Sequence, residues 1–187
     1  MSFLIIITVS GPHGSGKTTI AKALAQALGL RYISAGELFR KLAKERNMNI
    51  VEFTKYAANN PEIDYLIDNS IIEEAKKGNI VVDSQLAYWF LRDMNPISIL
   101  IYASKEVRIK RIMEREGYSL EGAKREIRIR DKIEKERFKK LYGLEIWKIE
   151  FFDFALNTSK LSKEESINLV IDVCKKLMNL RGEIWDG

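Results

Sequence analysis

A single cysteine and a single histidine among 187 residues set the first limits. Cys174 cannot close an internal disulfide, and its Lys-flanked helical setting suits a small buried hydrophobe better than a nucleophile. Nowhere does an apolar run approach the ~20 residues that a membrane span requires. The longest early one, residues 3–9, has the length of a strand. It lacks the charged start of a signal peptide and leads straight into a motif that must stay attached, so a cytoplasmic location is expected. Low-complexity tracts and internal repeats are missing too. What remains is a chain of one-domain size, 46% hydrophobic and 30% charged, as in an ordinary soluble globular protein.

The net charge of +5 is informative by its location. Residues 105–140 hold 14 Lys/Arg against 8 Asp/Glu, so the surplus sits in one segment and the rest is near neutral. A basic helix of this kind serves a nucleic-acid surface, a solvated face or a phosphate clamp, and charge alone does not choose among them.

Residues 4–9 form a continuous β-branched run bounded by Ser10-Gly11-Pro12, as expected for a strand covered on both faces. Ile20, Ala21, Leu24, Ala27 and Leu28 then follow the helical period up to Gly29. Further strands are predicted at 31–33, 80–83, 97–103 and 152–156. Helices are predicted at 34–45, within 47–60, and at 62–77, 105–116, 119–141 and 162–180. Pro61 suits a first turn, and Gly78 and Gly117 suit stops. Strands alternating with helices predict a three-layer α/β fold with a parallel sheet, whose ligands bind beyond the strand ends.

The chemistry is carried by Gly11-Pro12-His13-Gly14-Ser15-Gly16-Lys17-Thr18, which matches G-x-x-x-x-G-K-[ST] between a strand and a helix. Its glycines turn successive backbone N–H groups into one concavity at a helix start, where a β-phosphate binds. Lys17 is expected to reach the β/γ oxygens and Thr18 to offer its hydroxyl to Mg²⁺, with Thr19 next in the loop. His13 occupies a variable loop position and is expected to be a bystander rather than a general base, because an ionised phosphate acceptor needs none. The acceptor is not named by this motif. A GTPase would carry Asn-Lys-x-Asp, which is lacking, and a large ATPase needs more chain.

Beyond the loop, Ile33-Ser34-Ala35-Gly36-Glu37-Leu38-Phe39-Arg40, Pro61-Glu62-Ile63-Asp64, Leu86-Ala87-Tyr88-Trp89, Arg130 with Arg137-Phe138 and Tyr142-Gly143, and Asn157-Thr158-Ser159 follow in an order that resembles the archaeal-type cytidylate kinases over about residues 4–172. The resemblance implies a P-loop kinase fold with a five-stranded parallel sheet. Residues 1–33, 79–104 and 150–180 would form its core, 34–78 helices that bind the nucleoside monophosphate, and 105–149 a lid. It implies transfer from ATP, with Mg²⁺, to CMP and dCMP. Arg40 would grip the acceptor phosphate, with Ser34, Gly36 and Asp64 beside it. Asp83 resembles the strand-end carboxylate that orders Mg²⁺ through water. Many family members carry Asp/Glu-Gly-Arg where this chain has Asp83-Ser84-Gln85, so Gln85 offers only neutral hydrogen bonds to the acceptor.

The basic segment gains a meaning from its spacing. Arg108, Arg111 and Arg115 are spaced i, i+3, i+7, and Arg130, Glu134 and Arg137 are spaced i, i+4, i+7, so each set shares a helix face. Guanidinium groups closing over a transferring phosphoryl stabilise its spread charge and exclude water. By resemblance Arg111, Arg128 and Arg130 are the lid arginines, and Glu134 and Arg137 lie near the acceptor phosphate or base. The alternatives are another small-molecule P-loop kinase, such as an adenylate, UMP/CMP or shikimate kinase, and a nucleic-acid-binding P-loop protein. Tyr118, Phe138 and Tyr142 are spaced too widely for a base-stacking platform, which disfavours the last. A monomer with no membrane partner is expected.

Overall fold

A computed structural model of the chain describes residues 4–182. Phe3, which begins the early apolar run, and the end of the tail, 183–187, for which the sequence carries no structural signal, lie outside the described residues. Five parallel strands make one sheet in the order β2-β3-β1-β4-β5. They are β1 (Ile6–Ser10), β2 (Arg31–Ser34), β3 (Ile80–Asp83), β4 (Ile97–Tyr102) and β5 (Phe154–Asn157). The apolar run of β1 is explained by its place, since it pairs with β3 on one side and β4 on the other and every residue of it is buried.

Alternation along β1 feeds two cores. Ile5, Ile7 and Val9 face α1 (Lys17–Ala27) and α8 (Lys163–Leu180), where Leu24, Val170, Cys174 and Met178 complete the cluster. Burial pushes the Cys174 thiol up to about 12, so it behaves as the apolar filler its setting suggested. Ile6, with Ile80 and Val82, faces α2 (Ala35–Glu45), α3 (Ile50–Ala57), α4 (Glu62–Lys76) and α5 (Ala87–Leu91) through Phe39, Phe53, Ile67 and Leu91. A third, smaller cluster of Ile109, Ile112, Ala123 and Ile127 joins α6 (Lys105–Glu116) to α7 (Leu120–Tyr142).

The chain differs from the sequence expectation at several ends. β1 starts at Ile6, the first residue in register with β3, and Leu4 is 54% exposed. Before β5 a 3-10 turn spans Ile149–Phe151, so the strand begins at Phe154 rather than 152. α3 begins only at Ile50, where Asn49 and Glu52 form a capping box. α5 had no counterpart in the sequence reading. It has five residues and no side-chain cap, too short to display a helical period. α6 and α7 stop at Gly117 and Gly143, both at positive φ.

The connections between strands put Ser10, Ser34, Asp83 and Tyr102 at one edge of the sheet. β1 lies between β3 and β4 there, which is where the chain reverses its winding direction and leaves a crevice.

Candidate active site

The phosphate loop rises from the end of β1 into that crevice. Gly11 has φ +147, and a Cβ there would sit 1.9 Å from the Ile101 carbonyl oxygen, so no side chain fits against β4. Gly14 has φ +77 and backs onto Arg108, with a Cβ position 2.8 Å from its carbonyl oxygen. α1 then starts at Lys17, and Gly16 caps it without any side-chain hydrogen bond, so its first N–H groups stay open to an anion.

Two arginines of α6 hold this loop from behind. The Arg108 Nε–H donates to the His13 carbonyl oxygen, and its Nη2 reaches both Asp131 oxygens at 2.8 and 2.9 Å. Arg111 Nη1 donates to the Ser15 carbonyl oxygen and to Thr158 Oγ1, each at 2.9 Å, and Nη2 to the Thr158 carbonyl at 3.0 Å. In a trans peptide the C=O and the next N–H point opposite ways, so outward carbonyls at 13 and 15 turn the N–H groups of Gly14 and Gly16 inward. The sequence reading placed Arg111 over the phosphoryl. The structure binds it to the loop backbone at the cavity wall.

The loop opens into a cavity of about 710 Å³, within the ~300–1,000 Å³ common for ligand sites. Lys17 and Thr18 face it at the base. The deep position of Lys17, reinforced by Arg130 and opposed by Asp83, lowers its ammonium pKa, so a polyphosphate arriving there relieves an unfavourable charge. Thr18 Oγ1 donates to Asp83 Oδ2 at 2.6 Å, and Tyr32 and Ser34 hydroxyls approach the same oxygen at 3.2 Å. The β2–β3 register sets Ser34 opposite Asp83. The other oxygen, Asp83 Oδ1, is buried without a hydrogen-bond partner among the described residues.

One wall is α7. Arg130, Glu134 and Arg137 are 3%, 2% and 7% exposed, and all three line the cavity. Arg130 lies between Glu126, at 3.6 Å, and Glu134, at 3.3 Å. His13 is tied into this wall. Its Nε2–H donates to Glu134 Oε2 at 2.5 Å, and the Gln85 amide donates to the same oxygen at 2.6 Å. Burial and then Arg130 push the His13 imidazole down to about 3 against the pull of Glu134, so the ring is neutral near pH 7. Burial works against charge on Glu134, but His13, Arg130 and Arg137 overcome it and hold the carboxyl well below the usual carboxylate range.

Gly36, Arg40, Asp64, Asp68 and Arg137 line the same cavity with Phe39, Ile67 and Phe138. The exposed Arg40 folds back over Gly36, with Nη1 3.5 Å from where a Cβ would stand. Thus His13 to Thr19, Gly36, Arg40, Asp64, Asp83, Gln85, Arg111, Arg130, Glu134 and Arg137 meet around one space. Three candidates act from behind it. Gly11 and Pro12 shape the turn, and Ser34 caps α2 through Glu37 N while bonding Asp83. Arg128 is a correction, because it is exposed and outside the cavity lining. Two residues separate it from Arg130, which turns it roughly 200° away around the helix.

The sequence reading missed other lining residues. Arg115, flanked by Glu114 and Glu116, faces the cavity at the end of the i, i+3, i+7 row already noted. Asp68 lies one helical turn beyond Asp64, a spacing that marks a shared face. Its Oδ2 accepts from the Tyr142 hydroxyl at 2.6 Å, which ties α4 to the end of α7. Lys163 and Ser166 come from the other end of the chain with no local signature, and Thr158 belongs to the Asn157-Thr158-Ser159 segment that carries the resemblance without an assigned role.

Comparison with known proteins gives this geometry a family. Residues 6–160 match the Cytidylate kinase-like family. The chain belongs to that family. It is 41% identical over 175 residues to the cytidylate kinase of Staphylothermus marinus, covering 94% of this chain and 99% of the relative. It is 42% identical over 166 residues to that of Archaeoglobus fulgidus, covering 88% and 92%. Among solved structures, an uncharacterized protein from Eubacterium ventriosum is similar with a TM-score of 0.70 at 25% identity, covering 91% of this chain and 98% of that one. Acinetobacter baumannii shikimate kinase has a TM-score of 0.58 at 15% identity over 94% and 95%, a likeness of fold alone. This member of the cytidylate kinase-like family thus joins a P-loop kinase fold to a cavity lined by the phosphate loop and by several arginines. Among the described residues no helix is long and apolar enough to cross a membrane.

Proposed function

We propose that the protein catalyses ATP + CMP → ADP + CDP, with dCMP as a second acceptor, acting as a monomer on free nucleotides in the cytoplasm. The observation that carries this reading is one cavity lined both by the phosphate loop and by Arg40. It fits two phosphorylated ligands meeting head to head. The family relatives are named for cytidylate as acceptor, which favours CMP over a non-nucleotide acceptor such as shikimate.

In this scheme the loop N–H groups and Lys17 hold the β- and γ-phosphates of ATP. Residues 34–78 hold the acceptor, Arg40 gripping its phosphate, and 105–149 serve as the lid. An oxygen of the CMP phosphate attacks the γ-phosphorus in line while the bond to the β,γ-bridging oxygen breaks, and no side chain needs to take a proton. Catalysis is then positioning and charge stabilisation, to which Arg130 contributes across from Lys17.

Mg²⁺ fits the oxygens present. Asp83 Oδ1 is buried and lacks a donor among the described residues, and Thr18 Oγ1 lies beside the same carboxylate. No cluster of three His, Cys, Asp or Glu occurs among the described residues, which suits an ion held largely by phosphates and water. Thr18, and Asp83 through water, would hold the ion, which would supply neutralisation of the charge on the β- and γ-phosphates.

The test is ADP release with CMP, dCMP, UMP, AMP, GMP and shikimate offered separately. CMP and dCMP should give the highest kcat/KM. A higher value for AMP or shikimate would move the protein to a different acceptor class.

A further inference from the structure

The cavity lining contains polar groups that have no partner among the described residues. Arg137 Nε and Nη1 and Asp64 Oδ2 are buried without a hydrogen-bond partner among the described residues, in side chains whose residues are 7% and 6% exposed. Nε and Oδ2 lie 3.2 Å apart, close enough to attract but out of hydrogen-bond alignment. Buried groups of this strength are rarely left without partners, and here they stand at a ligand cavity. The Arg137 guanidinium is also fixed in place, 5.6 Å from the Phe39 ring centre and 5.1 Å from that of Phe138. With Ile67, these rings give the cavity apolar walls for a flat heterocycle.

The order of donors and acceptors decides which heterocycle fits. A guanidinium edge beside a carboxylate reads donor, donor, acceptor. The pairing edge of cytosine presents acceptor O2, acceptor N3 and donor N4–H, which complements that order throughout. Uracil presents acceptor O2, donor N3–H and acceptor O4, so its N3–H meets a guanidinium donor and its O4 meets the carboxylate.

Resting on the reading of the acceptor as a pyrimidine nucleotide, we propose that Arg137 and Asp64 read the pairing edge of cytosine and thereby set the preference for CMP over UMP. Asp64 accepts from the 4-amino group and Arg137 donates to N3 and O2. Discrimination arises as much from the unpaired groups that uracil would leave behind as from the bonds cytosine makes. Burial raises the Asp64 carboxyl to about 6, Arg137 opposing and Glu134 reinforcing, so the carboxylate is still the acceptor this requires near neutral pH. The acceptor phosphate is then left to Arg40.

The experiment compares kcat/KM for CMP, UMP and the 4-deamino analogue of CMP, pyrimidin-2-one riboside 5′-monophosphate, in wild type, Asp64→Asn and Arg137→Lys, with the ATP KM measured alongside. Wild type should favour CMP over both others by at least ~tenfold. Asp64→Asn, whose amide can present either an acceptor or a donor, should lower the CMP:UMP and CMP:analogue ratios at least ~tenfold with the ATP KM unchanged. Arg137→Lys keeps the charge and loses the fork, and should also lower the CMP:UMP ratio. A variant that slows CMP, UMP and the analogue alike, with ratios unchanged, would mean a phosphate contact or a packing role and overturn the proposal. Should a variant fail to fold, wild type alone decides, since equal use of CMP and the 4-deamino analogue is equally fatal. Absence of CMP turnover in wild type would instead remove the proposed function, and this inference with it.

Discussion

Replacing Arg130 by Met tests the link between the α7 wall and the fold. The guanidinium is 3% exposed and lies 3.6 Å from Glu126 and 3.3 Å from Glu134, each only 2% exposed. Met preserves much of the stem but leaves two buried carboxyls without their shared cation. Breaking a buried ionic network from one side costs about 3–5 kcal/mol. At roughly 2–4 °C per kcal/mol for a chain of this size, the melting temperature should fall by ~6–20 °C. The loss should depend on pH. Burial raises the Glu126 carboxyl while Arg130 opposes the rise, so without Arg130 it titrates higher still. A raised carboxyl destabilises the native state increasingly as pH climbs through its folded pKa. Glu134, held low in wild type, contributes stability that is present above the usual Glu range and lost as pH falls through its folded value. The variant forfeits much of that contribution. The Glu134 loss is nearly complete already at about pH 5, so it is the rise of Glu126 that makes the deficit larger at about pH 8 than at about pH 5, as melting curves at the two pH values would report. Arg130→Lys, which keeps the charge, should recover most of the stability while kcat still drops at least ~tenfold, or ~1.4 kcal/mol. A Met variant that melts within ~2 °C of wild type near pH 8, or whose deficit is the same at both pH values, would refute the reasoning.

Lys17→Ala should keep the wild-type circular dichroism and melting temperature but lose all but a few per cent of turnover, because its charge serves bound phosphate rather than the fold. Arg40→Ala should raise the acceptor KM or lower kcat/KM for CMP strongly with little change in the ATP KM; the reverse split in steady-state kinetics would move Arg40 to the donor side. Arg128→Ala should change kcat by less than ~twofold, since the side chain is exposed and away from the cavity, and a larger loss would show that α7 rotates in the working enzyme.

Much of the site was readable because its chemistry is local. Lys17, Thr18 and the loop glycines are contiguous, and the i, i+4, i+7 row of Arg130, Glu134 and Arg137 turned one helix face into the cavity wall. Strands in the sheet centre were legible for the same reason, as both faces are buried and the run is uninterrupted. What escaped depends on contacts far apart in the chain. The carboxylate that His13 bonds lies 121 positions away in Glu134, and nothing near His13 signals it. Arg111 had the correct face, but its bonds to the Ser15 and Thr158 carbonyls follow from how α6 packs behind the loop. Asp68 and Arg128 are different, because helical spacing already contained both answers. One turn beyond Asp64 faces the same way, and two residues before Arg130 faces the other. α5 stayed hidden because five aromatic-rich residues show no period.

The most direct measurement of the central claim follows the phosphorus itself. ATP labelled with ³²P at the γ-position, incubated with the purified protein, Mg²⁺ and CMP, should yield label in the β-phosphate of CDP at a rate matching ADP formation. Label appearing instead as inorganic phosphate, at the same rate with and without CMP, would contradict the account and leave a nucleotide hydrolase in its place.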